Sequence, residues 1–188
     1  MRNILFFFTL LILLSGCQST CDGSNECFDK RIATSKNTME VRSYQDVLGG
    51  TTVKDWSQGH GTQFEYLGKN GRAYLVYPGN THVLPGHWAI VQTGRDAEVC
   101  FRYPTNSYNP VTSESGGRWK CRKALSFVKH LEEIRSGDLL RLKRTSKLPK
   151  ILPKKINISI KAAMKEVGYK AKLTRNKACT WNRENCRP

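Results

Sequence analysis

The chain has 188 residues, of which 39% are hydrophobic, and its formal net charge is +16 at pH 7. This length is enough for one ordinary domain with attachments. The charge is unevenly spread, because residues 141–188 hold fifteen Lys or Arg against two Glu and the preceding residues are close to neutral. A uniformly basic protein is therefore excluded, and the charge belongs to one segment.

The first 17 residues combine a positive head, an apolar run and a terminal cysteine. Arg2 supplies the charge, residues 4–14 are almost wholly apolar, and the sequence L-S-G-C ends at Cys17. At ~1.5 Å per helical residue the run is too short to cross a bilayer core of ~30 Å, and it has the length of a secretory signal.

The ending L-S-G-C resembles the lipobox of bacterial lipoproteins, in which the cysteine is acylated and becomes the first residue of the mature chain. The resemblance implies a signal peptide at residues 1–16 and a lipid anchor at Cys17, and several acyl chains hold a protein stably on a membrane. Gln18 and Ser19, the two residues after Cys17, include no Asp, which by the same resemblance favours the outer membrane, facing the periplasm. The alternative is an ordinary signal peptide with an incidental cysteine.

Six further cysteines remain once Cys17 is set aside. An exported chain meets an oxidising compartment, so an even set of cysteines predicts disulfides. A zinc site is the competing interpretation, but the sequence has no C-x-x-C pair and no histidine at zinc-finger spacing, so we expect no metal. Proximity in the sequence favours the pairs Cys21–Cys27, Cys100–Cys121 and Cys179–Cys186.

Residues 17–38 are rich in Ser, Asn and Asp with almost no apolar periodicity, which predicts a tether pinched by one disulfide loop. Residues 39–153 predict a β-rich domain that begins with a short helix, which Gly49 would end. The apolar face of this helix consists of Val41, Tyr44, Val47 and Leu48.

Short β-branched and aromatic segments separated by turn-forming residues predict an antiparallel β-meander, as an open sheet or a small barrel. The fold class is therefore mainly β (α+β). Asn70-Gly71 predicts a tight hairpin. Alternation within 98–103 places Cys100 where it would meet Cys121 at the sheet surface. The predicted strands are 51–56, 63–67, 72–77, 87–92, 98–103 and 118–121.

Large aromatic residues occur once or twice in each predicted strand. They predict either a platform on which a carbohydrate or another ligand stacks, or a compact core filled with large side chains, and the small size of the domain favours the core. These residues are Trp56, Phe64, Tyr66, Tyr74, Trp88, Phe101 and Trp119.

A second resemblance covers residues 41–153. The motif order G-G-T-T at 49–52, N-G at 70–71, G-H-W at 86–88 and C-F-R-Y at 100–103 is similar to a family of small exported bacterial proteins that is catalogued as a domain of unknown function. This resemblance implies a secreted β-rich domain and implies no reaction.

Catalysis has few candidates in this sequence. His60 lies between two glycines, and Asp55 and Glu65 would have to face each other across neighbouring strands. No nucleophile elbow, H-E-x-x-H pair or phosphate-binding loop accompanies them. We therefore expect exposed polar residues, no cofactor and no enzymatic activity, with a periplasmic enzyme as the alternative.

Residues 154–188 predict a basic C-terminal segment with a helix at its centre. Ile160, Met164, Val167 and Ala171 form a narrow apolar stripe. The helix would lie on an anionic surface or pack on the sheet with its lysines in solvent, and the sequence leaves both open. The candidates for contact with an anionic surface are Lys154, Lys155, Lys161, Lys165, Lys170, Lys172, Arg175 and Lys177.

The expected partners follow from the anchor and the charge. They are the membrane, through acylated Cys17, and anionic lipid, lipopolysaccharide or peptidoglycan. Nucleic acid is not expected, because Tyr169 and Trp181 are the only aromatics of the basic segment. Inhibition of lysozyme is an alternative opposed by repulsion between two cationic proteins. The predicted function is a membrane-anchored envelope lipoprotein with a non-catalytic binding or structural role.

Overall fold

The computed structural model describes residues 24–77, 79, 81–152 and 156–182. Its framework is an antiparallel sheet of seven strands that curls into a half barrel. In chain order, the strands of the described residues are β1 (Thr51–Ser57), β2 (Gly61–Leu67), β3 (Arg72–Val76), β4 (Leu84–Thr93), β5 (Asp96–Arg102), β6 (Tyr108–Asn109), β7 (Glu114–Ser115), β8 (Lys120–Lys123) and β9 (Glu133–Ser136).

The strand order across the sheet is β8-β5-β4-β3-β2-β1-β9, and β6 and β7 pair separately as a two-stranded ribbon. The prediction of a mainly antiparallel β fold is therefore confirmed. The hairpin at Asn70-Gly71 is also confirmed, since β2 and β3 pair on either side of it. Gly71 has a positive φ of 76°, which glycine adopts without strain. The pairing of β9 with β1 has no counterpart among the predicted strands.

Four helices occur among the described residues: α1 (Asn25–Ser35), α2 (Met39–Leu48), α3 (Ala124–His130) and α4 (Ile160–Glu166). A 3-10 helix follows at Lys177–Thr180. The side chains of Ser24, Thr38 and Ser159 accept hydrogen bonds from the first turns of α1, α2 and α4, as N-cap residues do. None of these helices is both long and apolar enough to cross a bilayer.

The prediction of a tether at residues 17–38 is wrong from residue 24 onwards. Phe28 and Ile32 of α1 pack on Val91 and Cys100 of the sheet. Arg31 also donates a hydrogen bond of 2.8 Å to Thr93 Oγ1. The sequence did not predict this helix because Phe28 and Ile32 are a single apolar pair spaced by one helical turn, which is too little periodicity to indicate a helix. Residues 17–23 lie outside the described residues.

The two faces of the sheet are covered by different parts of the chain. On one face, α2 and α3 cover the first core, which includes Leu48, Val53, Leu67, Ile90, Val99 and Phe127. On the other face, α1 covers one end of the sheet, and residues 139–152 and 158–173 cover the other. This second core includes Phe64, Val76, Leu140, Leu142, Ile160 and Met164.

The apolar stripe of the C-terminal segment belongs to the second core. Ile160 is fully buried, and Met164 and Val167 are each 5% exposed, whereas Ala171 is exposed. Polar contacts add to this packing, because the Ile160 amide donates to Glu133 Oε1 at 2.7 Å. Of the two placements left open by the sequence, the described helix α4 packs on the sheet.

The predicted Cys100–Cys121 disulfide is present and links β5 to β8. Its expected place at the sheet surface is wrong, because α1 covers Cys100 and leaves it fully buried. Cys27 and Cys179 are also disulfide-bonded. Their predicted partners, Cys21 and Cys186, lie outside the described residues, so these two pairings stay predictions.

Candidate ligand groove

A groove opens on the face of the sheet that carries the first core. It consists of two adjoining compartments of about 140 and 250 Å³. Strands β2, β5 and β8, the end of β3 and the β6–β7 ribbon provide its walls. The stretch of chain between β5 and β8 thus carries the ribbon that bounds the groove. The residues that line both compartments are Tyr77, Phe101, Tyr103, Asn109, Glu114 and Lys120.

Tyr77, Phe101 and Tyr103 form what we call the aromatic wall. Phe101 and Tyr103 lie two residues apart, so the alternation of an extended chain points both rings to one side. Their ring planes are parallel within 1° and their centroids are 6.4 Å apart. The Tyr103 ring lies against Gly86 of β4, where a Cβ atom would be 2.6 Å from Tyr103 Cδ1. Glycine at this position therefore allows the ring to lie flat across the strand.

Glu65 and Arg122, which line the second compartment, form what we call the polar floor. Asp55 is a diagonal neighbour of Glu65 on the same face and lines neither compartment. Glu65 is 8% exposed. Burial raises the pKa of its carboxyl group to about 7, and the charge of Asp55 acts in the same direction. A hydrogen bond from the Tyr103 hydroxyl and the charge of Arg122 oppose this increase without cancelling it. Glu65 can therefore hold or release a proton near neutral pH.

Arg122 has unused hydrogen-bonding capacity, and the neighbouring Asp55 has a buried carboxylate oxygen beside His130. Arg122 lies with its guanidinium carbon 4.3 Å from the centroid of the Phe127 ring, and it makes no hydrogen bond or ion pair with another described residue. Burial of its guanidinium lowers the pKa of Arg122, which the charges of Asp55 and Glu65 partly offset. His130 Nε2 lies 3.3 Å from Asp55 Oδ1, but Oδ1 is buried without a hydrogen bond among the described residues.

His60 stands behind the groove rather than in it. The Ser57 hydroxyl lies 3.3 Å from His60 Nδ1 and accepts the His60 backbone N–H at 3.2 Å, which closes the β1–β2 turn. Asn109, which lines the groove, contacts the other ring nitrogen at 3.4 Å. His60 therefore joins this turn to the ribbon and lines neither compartment.

An ion pair lies at the rim of the groove. Lys120 Nζ is 2.6 Å from Glu114 Oε1 and joins β8 to the ribbon. In the described part of the chain, no cluster of three or more His, Cys, Asp or Glu side chains could hold a metal ion. The groove thus offers hydrogen bonds, ring faces and one carboxyl group that titrates near neutrality.

Of the predicted anionic-surface residues, Lys161, Lys165, Lys170 and Lys172 lie in the part of the chain that covers the other face of the sheet. Lys177 is half-buried and donates to the Val47 carbonyl at 3.5 Å. Lys154 and Lys155, like the predicted lipidation site Cys17, lie outside the described residues. The exposed ones are Lys161, Lys165, Lys170, Lys172 and Arg175.

Sequence reasoning found part of the groove. The sequence singles out Asp55 and Glu65 as a possible pair, and the register of β1 and β2 places them on one face as diagonal neighbours. Of the two, Glu65 lines the groove and Asp55 does not. Tyr103 and Arg122 were missed, although the alternation of the predicted strand 98–103 already put Tyr103 on the side of Phe101. Arg122 gave no signal, because its role depends on the pairing of β8 with β5.

Comparison of the chain with protein-family models, with curated proteins and with solved structures finds no match. The resemblance of residues 41–153 to a family of small exported proteins therefore stays a prediction.

Proposed function

We propose that this protein is a lipid-anchored envelope protein that binds an anionic surface through its basic C-terminal segment and catalyses no reaction. One observation carries the proposal: five of the predicted surface residues, from Lys161 to Arg175, are exposed in the described structure. The apolar side of this part of the chain is buried in the second core. Its positively charged side chains are in solvent and are therefore available to an external partner.

The structure supports an electrostatic contact rather than an inserted helix. The apolar side chains Ile160 and Met164 of α4 are in the second core and cannot enter a membrane. Lys161 and Lys165 stand on the outside of this short helix. Among the described residues Lys161, Lys170 and Lys172 make no ion pair, whereas Lys150 is engaged with Glu166 at 2.7 Å.

The size of the effect limits what this segment can do alone. Each Lys or Arg near an anionic leaflet contributes about 1 kcal/mol, within a Debye length of ~10 Å at 0.1 M salt. Only some of the exposed cations can face one plane, so the contact contributes a few kcal/mol at most. A contact of this strength is reversible, and it suits a protein that is held at the membrane by acyl chains on Cys17.

The anchor in this proposal rests on the sequence pattern at residues 1–17. Outer-membrane attachment would place the domain in the periplasm. Phosphate and carboxylate groups of anionic lipid, lipopolysaccharide and peptidoglycan would then be the surfaces within reach.

Vesicle binding of the chain from residue 18 onwards tests the electrostatic contact, because this chain retains every described element and carries no acyl group. We expect binding to vesicles that contain anionic lipid at about 50 mM salt and release at about 500 mM salt, where screening is strong. The test variant replaces four exposed lysines by Gln, namely Lys161, Lys165, Lys170 and Lys172.

A control variant removes the same number of positive charges from exposed positions in the rest of the chain. It replaces Lys36, Arg95, Lys123 and Lys129 by Gln. The proposal requires that the test variant loses most of the binding and that the control variant keeps it. Equal losses in both variants, or equal binding to neutral vesicles, would show that no specific basic surface exists.

A further inference from the structure

We propose that the groove between the aromatic wall and the polar floor is a binding site for an uncharged saccharide. A sugar ring would stack on Phe101 and Tyr103, and its hydroxyl groups would bond to the polar floor. This site lies on the face of the sheet opposite to helix α4, and the inference is independent of the anionic-surface proposal.

The aromatic wall provides a surface that suits the face of a sugar ring. The parallel rings of Phe101 and Tyr103 present their π faces side by side on one strand. An aromatic face carries partial negative charge, and the C–H groups on one side of a pyranose ring are apolar and weakly positive. Phe101 is also held by an edge contact to Phe127, with centroids 5.5 Å apart. The wall is therefore formed before a ligand arrives.

The polar floor selects against charged ligands. A cation would meet the cationic side chains of Arg122 and Lys120, and an anion would meet the carboxyl groups of Glu65 and Glu114, all of which line the groove. Arg122 has unused donors among the described residues, and Glu65 has one carboxyl oxygen that accepts no hydrogen bond from a described residue. Hydroxyl groups donate and accept, so one polyhydroxylated ligand satisfies both.

Glu65 extends the same argument. Its buried carboxyl group is about half protonated at neutral pH and largely protonated below it, and the protonated form donates one hydrogen bond and accepts others. The Tyr103 hydroxyl already donates to Oε1. Glu65 is therefore oriented by the aromatic wall, with its second oxygen available to a ligand hydroxyl.

The size of the groove indicates a short stretch of glycan. The compartments of about 140 and 250 Å³ adjoin along the aromatic wall and open to solvent. Each is smaller than a typical pocket for a drug-sized ligand, about 300–1,000 Å³. One or two sugar units would occupy them while the rest of a chain continues outside.

Titration of the isotope-labelled full chain by NMR, in a detergent without a sugar headgroup, tests the inference with three probes. The neutral probe is the tetramer of β-1,4-linked N-acetylglucosamine. Its de-acetylated counterpart has the same linkage with a cationic amine on each ring, and a galacturonic acid tetramer is the anionic probe. We expect saturable shifts in β2, β5 and β8 with the neutral probe and at least tenfold weaker binding of both charged probes.

Variants locate the binding site. Arg122→Gln and Tyr77→Ala should each weaken binding of the neutral probe at least fivefold, and Arg95→Gln, in the exposed β4–β5 turn, should leave it unchanged. The amide spectrum and the thermal midpoint report whether each variant is folded. If Tyr77→Ala fails to fold, the affinity of Arg122→Gln for the neutral probe still tests the location of the site.

Three results would overturn the inference: no saturable shift with the neutral tetramer, equal or tighter binding of a charged probe, or an affinity that Arg122→Gln does not change. The vesicle assay tests other residues, on another face of the sheet. A negative vesicle assay would therefore not affect the interpretation of the NMR titration, and a negative titration would not affect that of the vesicle assay.

Discussion

Glu65 should make the free energy of unfolding depend on pH, and replacing it by Gln should remove that dependence. The folded protein raises the pKa of this carboxyl group from 4.5 to about 7, chiefly by burial. The folded state therefore binds the proton more tightly than the unfolded state. The corresponding stabilisation is fully present below about pH 4.5 and is lost as the pH rises through about 7.

The magnitude follows from the two pKa values. A difference from 4.5 to about 7, at ~1.4 kcal/mol per pH unit, corresponds to about 3 kcal/mol. Gln has nearly the same shape, accepts the Tyr103 hydroxyl and does not titrate. We therefore compare the free energy of unfolding of Glu65→Gln with that of the unmodified protein at each pH. The difference between the two should shift in favour of the variant by about 3 kcal/mol from pH 4.5 to pH 8. For a chain of this size that is a relative shift of the thermal midpoint on the order of 5–10 °C.

Chemical denaturation of both proteins at pH 4.5 and pH 8 measures this difference. Contributions that are the same in the two proteins cancel when one curve is subtracted from the other. Glu133→Gln is the matched control, because Glu133 is another buried carboxyl group of the sheet, 7% exposed. It accepts the Ile160 amide at 2.7 Å and pairs with Arg135. Its replacement should destabilise the protein at pH 8 by about 1–3 kcal/mol.

The reasoning on Glu65 fails if its Gln variant and the unmodified protein lose stability in parallel between pH 4.5 and pH 8. It also fails if Glu65→Gln destabilises at pH 8 as Glu133→Gln does. Either result would mean that the folded state accommodates an ionised Glu65 without cost.

Three further predictions address the anchor, the crosslinks and the C-terminal segment. Cys17→Ser should move the protein out of the membrane fraction or leave it unprocessed, and fractionation that finds it processed and membrane-bound would refute the lipid anchor. Mass spectrometry without reduction should find no alkylatable thiol and a peptide that links Cys100 to Cys121; two or more free thiols would contradict this. Met164→Ala should lower the free energy of unfolding by about 2–5 kcal/mol because it opens a cavity in the second core. Ala171→Ser, at an exposed position of the same stripe, should change it by less than about 0.5 kcal/mol in the same denaturation assay.

Local patterns in the sequence determined much of the sheet. Strands β1 to β5 were predicted within a few residues, because alternation and turn residues such as Asn70-Gly71 are encoded over short distances. The pairing of Cys100 with Cys121 followed from the same neighbouring strands. Helix α1 was missed because its stability comes from packing on the sheet rather than from its own periodicity, as is usual for short helices.

Only the tertiary structure decided which faces were covered and which side chains met. The pairing of β9 with β1, the burial of Met164 and the approach of Arg122 to Glu65 each depend on residues far apart in the chain. The sequence allowed the stripe of α4 to face a membrane or the sheet, since the same apolar spacing serves both. Likewise, Glu65 on an alternating strand could be a solvated residue or a buried one. Its pKa depends on the loss of water around the carboxyl group, which the curled sheet and the Tyr103 ring bring about and which no local pattern records.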